Sequence, residues 1–85
     1  MRWEVLVDDA ARKYLKRIPK KDTERIDRVL REFCSDPYTG DIEKMKGEEN
    51  VWRRRIGSYR ILYEIIPEKR LVYIVEIKRR TSSTY

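Results

Sequence analysis

The chain has 85 residues and a mass of 10.4 kDa, so we expect a single small domain spanning residues 1–85. Its 21 basic and 15 acidic side chains give a net charge of +6, and a hydrophobic content of 40% is sufficient for a folded core. The sequence contains no histidine and one cysteine, which excludes Cys/His zinc sites, histidine-based catalytic triads and internal disulfides.

The positive charge is concentrated towards the C-terminus. Residues 1–50 carry 12 basic and 12 acidic side chains, whereas residues 51–85 carry nine and three. This asymmetry predicts a surface that binds a polyanion such as nucleic acid. The longest apolar run, Leu71 to Val75, is too short to cross a membrane, and no secretion leader opens the sequence. We therefore expect a cytoplasmic protein without membrane contact.

The first 35 residues predict a strand and two helices. Apolar residues alternate with polar ones from Met1 to Val7, which is typical of a short strand. A first helix is predicted after Asp8 and Asp9, which are suitable N-cap residues, and it ends at Pro19. A second helix is predicted from near Asp22 to residue 35, with one apolar face formed by Ile26, Val29, Leu30, Phe33 and Cys34. The short break between the helices predicts an antiparallel hairpin.

The second half of the chain predicts β structure. Residues 36–50 lack a clear period and are predicted to form a loop, with a short turn near residues 42–45. Turn signals at Gly57-Ser58 and Pro67–Arg70 separate three predicted strands, namely Val51–Ile56, Tyr59–Ile66 and Leu71–Lys78. The last of these is mostly apolar, as expected of an internal strand. The order β-α-α-β-β-β predicts an α+β fold in which the helical hairpin covers one face of a mainly antiparallel sheet.

The predicted hairpin at Gly57-Ser58 gathers three arginines on one face of the sheet. A two-residue turn places Arg55 opposite Arg60, and side-chain alternation brings Arg53 to the same face. The apolar side chains of the two strands share the other face, under the helices: Trp52, Ile56, Tyr59, Ile61 and Tyr63. Arg54 also falls on that apolar face, so we expect its side chain to extend into solvent at the sheet edge.

Like charges directly opposite one another destabilise a sheet unless an anion lies between them. Two interpretations of the arginine face follow. One is an anion-binding site, to which the Arg79-Arg80 pair would contribute. The other is a solvated face that Glu64 and Glu76 partly neutralise.

Several stretches together resemble a known toxin family. KMKG at 44–47, VWRRRIGSYRILYEI at 51–65, LVYIVEIKRR at 71–80 and a terminal tyrosine are similar to the RelE branch of the RelE/ParE superfamily. The Tyr59-Arg60 pair is the most specific of these features. The resemblance covers essentially the whole chain and implies a small two-layer RelE-like fold. It also implies a ribosome-dependent endoribonuclease that cuts mRNA in the A site and is neutralised by a RelB-type antitoxin.

The resemblance also implies which residues form the active site. It assigns catalytic roles to five side chains, namely Arg53, Arg55, Arg60, Arg80 and Tyr85, the last only if the tail has a one-residue deletion. Arg79 is the alternative to Arg80, and further RNA contacts are expected from Lys44, Lys46, Arg54 and Arg79. Attack by a ribose 2′-OH would need guanidinium groups around the phosphate and a base, for which Tyr85 is the candidate. We expect no metal and no cofactor.

Two other functions remain open at this point. A ParE-like protein would inhibit DNA gyrase, and a toxin relic would bind RNA without cutting it. The complete basic cluster favours RNA cleavage, because ParE-like toxins generally lack it. The absence of histidine excludes the His-Glu acid–base pair of YoeB-like relatives. The expected partners are an antitoxin, the ribosome and mRNA, and we expect the free protein to be a monomer.

Overall fold

Five strands form one sheet, and two helices cover one of its faces. The computed structural model describes residues 2–79, so the candidate site residues Arg80 and Tyr85 lie outside it. The elements are β1 (Glu4–Val7), α1 (Asp9–Leu15), α2 (Lys20–Ser35), β2 (Ile42–Lys44), β3 (Val51–Ile56), β4 (Tyr59–Ile66), a 3₁₀ turn (Pro67–Lys69) and β5 (Leu71–Arg79). The strand order is β1-β5-β4-β3-β2, with β1 parallel to β5 and all other pairs antiparallel. The predicted α+β fold with its helical hairpin is confirmed.

The N-terminal elements begin close to where the sequence predicts. Asp8 caps α1, because its carboxylate accepts a hydrogen bond from the backbone N–H of Ala10 at 3.1 Å. The other carboxylate oxygen accepts a hydrogen bond from the Tyr73 hydroxyl at 2.5 Å, which ties β5 to the start of α1. The second helix begins at Lys20 rather than near Asp22, because Pro19 occupies its N-cap position with φ −55°.

The core lies between the helices and one face of the sheet. Tyr63 is fully buried, its ring lies 4.5 Å from that of Phe33, and its hydroxyl donates to the carbonyl of Pro37 at 3.0 Å. The remaining core residues are Ala11, Ile26, Val29, Ile56, Tyr59, Ile61, Ile65, Val72, Ile74 and Ile77. No helix among the described residues has the length and apolar content that crossing a membrane requires.

One strand was not predicted. Residues 42–44 pair antiparallel with β3 and form the edge of the sheet, so the prediction of a loop over 36–50 is wrong there. Three residues are too few to show an alternating pattern, and the strand exists because β3 offers it a free edge. Gly40, just before it, has φ +90°, and a Cβ there would lie 2.3 Å from Nη1 of Arg54. Glycine therefore lets the chain pass close to that side chain.

A β-bulge in the pairing of β4 with β5 decides which β5 side chains reach the core. Ile74 and Ile77 are both buried although they are three residues apart, a spacing that simple alternation does not allow. The register shifts between Leu62 and Tyr63, and Val75, which is left without a partner, is 37% exposed. Beyond the bulge, Lys78 therefore shares the uncovered face of the sheet with the β3–β4 arginines.

Arg54 does not extend into solvent as predicted. Its side chain is 13% exposed, and the guanidinium donates to the carbonyl of Thr39 at 3.2 Å and to the carboxylate of Glu32 at 3.5 Å. The Nε atom is buried without a hydrogen-bond partner among the described residues. The loop after α2 encloses this side chain, so Arg54 links α2, the loop and β3.

We expect Arg54→Ala to destabilise the protein more than Arg55→Ala, the same substitution one residue away. Loss of the charge-assisted hydrogen bonds of this largely buried side chain should lower the free energy of unfolding by about 1–3 kcal/mol. Arg55 is half-exposed in a surface ion pair, so its loss should change that free energy by less than about 1 kcal/mol. Urea denaturation of the two variants measures the difference. Equal losses would show that Arg54 does not anchor the loop.

Candidate nucleic-acid interface

The three arginines predicted to share a face do so in the structure. Arg55 lies directly opposite Arg60 in the β3–β4 ladder, and Arg53 lies two residues further along β3, opposite Leu62. All three line one cavity of about 240 Å³ on the uncovered face of the sheet. We call this set, Arg53, Arg55 and Arg60, the arginine cluster. Its close spacing follows from the tight turn at Gly57, where φ is +54°.

Two carboxylates line the same cavity and neutralise part of the cluster. Arg55 Nε donates to the Asp41 carboxylate at 3.0 Å, and the backbone N–H of Arg55 donates to the Asp41 carbonyl at 3.0 Å. Arg53 forms an ion pair with Glu43, which lies directly opposite it on β2. These acids offset the repulsion between facing arginines in the free protein. Glu64 and Glu76 were predicted for this role, whereas Asp41 and Glu43 were not, because the pairing of β2 was not predicted.

Arg60 differs from its neighbours because it has no carboxylate partner within residues 2–79. Lys78 on β5 lies directly opposite it, and both residues line an adjoining cavity of about 110 Å³ that also contains Arg53 and Glu76. Lys78 was not among the predicted site residues. The three-residue spacing of Ile74 and Ile77 was a usable signal, because it implies the bulge that places Lys78 here.

The other predicted contact residues lie apart from the cluster. Arg79 pairs with Tyr59, and its guanidinium carbon is 5.9 Å from the centroid of that ring, on the helix-covered side of the sheet. Lys44 and Lys46 surround a separate hollow formed by residues 44–49. Arg54 is held beneath the 36–41 loop by the contacts described above. Arg80 and Tyr85 lie outside the described residues.

Three tyrosines packed within the fold are poorly suited to lose a proton. The pKa of Tyr59 is raised mainly by the hydrogen bond that its hydroxyl donates to Asp22, at 2.8 Å. The same effect from Asp8 raises the pKa of Tyr73, and burial raises that of Tyr63 well above its usual range. A tyrosine acting as general base would need the opposite shift, so none of these three fits that role.

The arrangement is suited to binding phosphate groups. Each guanidinium is planar, permanently charged and able to donate two hydrogen bonds to one phosphate. Within the described part of the chain Arg60 forms no ion pair with a carboxylate, although Glu76 lines the same cavity, and Lys78 adds a further ammonium donor beside Arg60. The geometry therefore supports binding of a polyanion and stabilisation of negative charge that develops on phosphorus.

Comparison with known proteins identifies the family. Residues 5–83 match the family model described as the ParE toxin of the type II toxin–antitoxin system parDE. A Methanocaldococcus jannaschii protein named as toxin RelE1 is 28% identical over 83 residues, which cover 94% of this chain and 92% of that protein.

Solved structures share the fold. In the archaeal RelE–RelB complex from Pyrococcus horikoshii OT3, the matching chain superposes with a TM-score of 0.85 at 23% identity, covering 98% of this chain and all of that one. The isolated E. coli RelE toxin gives a TM-score of 0.83 at 20% identity, covering 95% and 87% of the two chains. The protein therefore belongs to the RelE/ParE superfamily of type II toxins, and its fold is RelE-like.

Proposed function

We propose that the protein is a ribosome-dependent endoribonuclease that cleaves mRNA in the ribosomal A site. The observation that carries this proposal is the arginine cluster, which gathers three guanidinium groups around one cavity on the uncovered face of the sheet. Arg55 and Arg60 face each other in the ladder and repel each other. A phosphate bound between them would relieve that repulsion, which is why the cluster supports a phosphate-rich substrate.

The chemistry proposed is attack of a ribose 2′-OH on the adjacent phosphorus, leaving a 2′,3′-cyclic phosphate and a 5′-OH. Arg60 and Arg80 hold the scissile phosphate, while Arg53 and Arg55 bind neighbouring phosphates or the developing charge. Tyr85 is the proposed base that takes the proton from the 2′-OH, and the departing 5′ oxygen takes its proton from solvent. Support for Tyr85 comes from the family resemblance.

A RelB-type antitoxin is the proposed protein partner. The P. horikoshii relative was crystallised as a RelE–RelB complex, and the fold that we describe covers the whole of its matching chain. An acidic antitoxin segment would compete with RNA for the arginine cluster, which would keep the toxin inactive until the antitoxin is lost. The ribosome and its bound mRNA are the proposed targets.

Inhibition of DNA gyrase is the second candidate, because the matching family model is described as a ParE toxin. A gyrase inhibitor would induce DNA-damage signalling and leave mRNA ends unchanged. Its inhibition of gyrase would also be unaffected by loss of the arginine cluster, unless the same face binds gyrase. Mapping of mRNA ends therefore separates the two candidates directly.

The first experiment is cleavage of an mRNA positioned on purified ribosomes, read by primer extension. The wild-type protein should produce a new 5′ end within the A-site codon and leave free mRNA intact. Removing a group that stabilises the phosphorane typically slows a reaction about 10²–10³-fold, so we expect that loss from Arg60→Ala. Arg28→Ala, an exposed arginine on α2, is the matched control and should cleave normally. Full activity of Arg60→Ala would contradict the assignment.

Lys78 and Arg79 are adjacent cations that lie on opposite faces of the sheet, so substituting each in turn tests which face binds RNA. Lys78→Ala should weaken binding of single-stranded RNA and reduce the slope of log K against log salt by about one, as expected for a lost phosphate contact. Arg79→Ala should leave both quantities close to wild type, because its side chain lies against Tyr59. Fluorescence anisotropy over a series of salt concentrations measures both. A larger effect of Arg79→Ala would place the RNA on the other face.

A further inference from the structure

We propose that Asp41 and Glu43 determine substrate selectivity by competing with RNA phosphates for the arginine cluster. This inference rests on the proposed function, because it concerns how the same face discriminates between RNA substrates. The two carboxylates make free RNA a poor ligand, so that productive binding requires RNA that is already held in place by other contacts.

The competition follows from the geometry of the ion pairs. Asp41 accepts from the Nε of Arg55, and Glu43 accepts from an Nη of Arg53. These guanidinium N–H groups are among those that a phosphate would use, and carboxylate and phosphate oxygens are interchangeable acceptors for them. Two of the three arginines in the cavity are therefore already engaged in the free protein.

The two acids are held close to the cluster by the backbone. Glu43 belongs to β2 and lies directly opposite Arg53 in the ladder, so strand pairing sets its position. The carbonyl of Asp41 accepts a hydrogen bond from the backbone N–H of Arg55. An incoming phosphate can displace the side chains, which are exposed, but both negative charges remain within the site. They then repel the bound RNA backbone.

The consequence is a threshold for binding. RNA that contacts only the arginine cluster must displace two carboxylates and tolerate their charge. RNA held on a larger assembly gains binding energy elsewhere, and that energy can be used at the reacting site. The acids weaken binding of both kinds of RNA by the same factor, so only positioned RNA retains enough binding energy to occupy the site, whereas a purely basic cavity would bind both.

The test uses the double variant Asp41→Asn/Glu43→Gln, which keeps side-chain shape and removes both charges. Binding is measured by fluorescence anisotropy with a labelled, fully 2′-O-methylated single-stranded RNA, which lacks the attacking hydroxyl. Removing two weak surface ion pairs that compete with phosphate should tighten binding by about tenfold, which corresponds to about 1.4 kcal/mol. Glu24→Gln/Glu68→Gln changes the net charge equally at exposed positions outside the cavity, and should change affinity much less.

Two results would overturn the inference. Unchanged affinity of Asp41→Asn/Glu43→Gln, or an increase no larger than that of the control, would show that the acids do not compete with RNA. Weaker binding would show that they orient the arginines for RNA instead. Circular dichroism melts establish that each variant is folded, and Glu43→Gln alone serves if the double variant is not. In Glu43→Gln alone, Asp41 still holds Arg55, so we expect a smaller gain in affinity. That gain should again exceed the gain of a single Glu24→Gln control.

The inference and the proposed function can fail separately. If Arg60→Ala weakens binding but the double variant does not strengthen it, the site is correct and the selectivity argument is wrong. If the double variant binds more tightly but the wild-type protein cuts no ribosome-bound mRNA, competition holds and the nuclease proposal is wrong.

Discussion

The pairing of Arg55 with Arg60 is the constraint on which the rest of the functional face depends. The tight turn at Gly57 fixes this pairing. Side-chain alternation then determines on which face of the sheet each further residue of the hairpin lies. Two facing guanidinium groups repel each other, so the sheet needs negative charge nearby. Asp41 and Glu43 provide it, and the edge strand β2 brings Glu43 to the required position.

Alternation along β3 gives three consecutive arginines two different roles. Arg53 and Arg55 point to the uncovered face, where their guanidinium groups line a cavity. Arg54 points the other way and holds the loop between α2 and β2 through Thr39 and Glu32. One charged tripeptide thus serves both the site and the fold. Net charge alone therefore overstates how many of these cations are available to a polyanion.

The helix-covered face explains why the site lies where it does. Ile61 and Tyr63 on β4 are buried on the helix-covered face, which leaves the alternate residues of the same strand on the uncovered face. The bulge near Tyr63 turns Ile77 towards the core and places Lys78 beside Arg60. The register of β4 with β5 therefore determines both which residues pack in the core and which residues line the site.

Much of this arrangement could be predicted from the sequence, because local signals determined it. The turn at Gly57-Ser58 and the alternation around it were sufficient to place Arg55 opposite Arg60. Features that depend on distant contacts could not be obtained in this way. The pairing of residues 42–44 depends on a free edge of β3, and the burial of Arg54 depends on a loop that begins at the end of α2.

Lys78 and Arg79 also show that local sequence signals do not identify features that depend on distant contacts. Both are cations near the end of an apolar strand, and simple alternation gave no reason to choose Lys78. The bulge reverses the phase of β5 relative to a regular strand, and its signal is the spacing of two isoleucines rather than any feature of the cations. Asp41 and Glu43 were missed for the related reason that their partners lie on a strand ten or more residues away.

The most direct test of the account is an NMR titration of the ¹⁵N-labelled protein with a 2′-O-methylated RNA oligonucleotide. If RNA binds the arginine cluster, the largest shifts will come from the Nε–Hε groups of Arg53, Arg55 and Arg60 and from backbone amides of β3 and β4. The signal of Arg54 Nε–Hε should change little, because that group is buried on the opposite face. Shifts concentrated in α1 and α2, with the cluster unperturbed, would contradict the central claim.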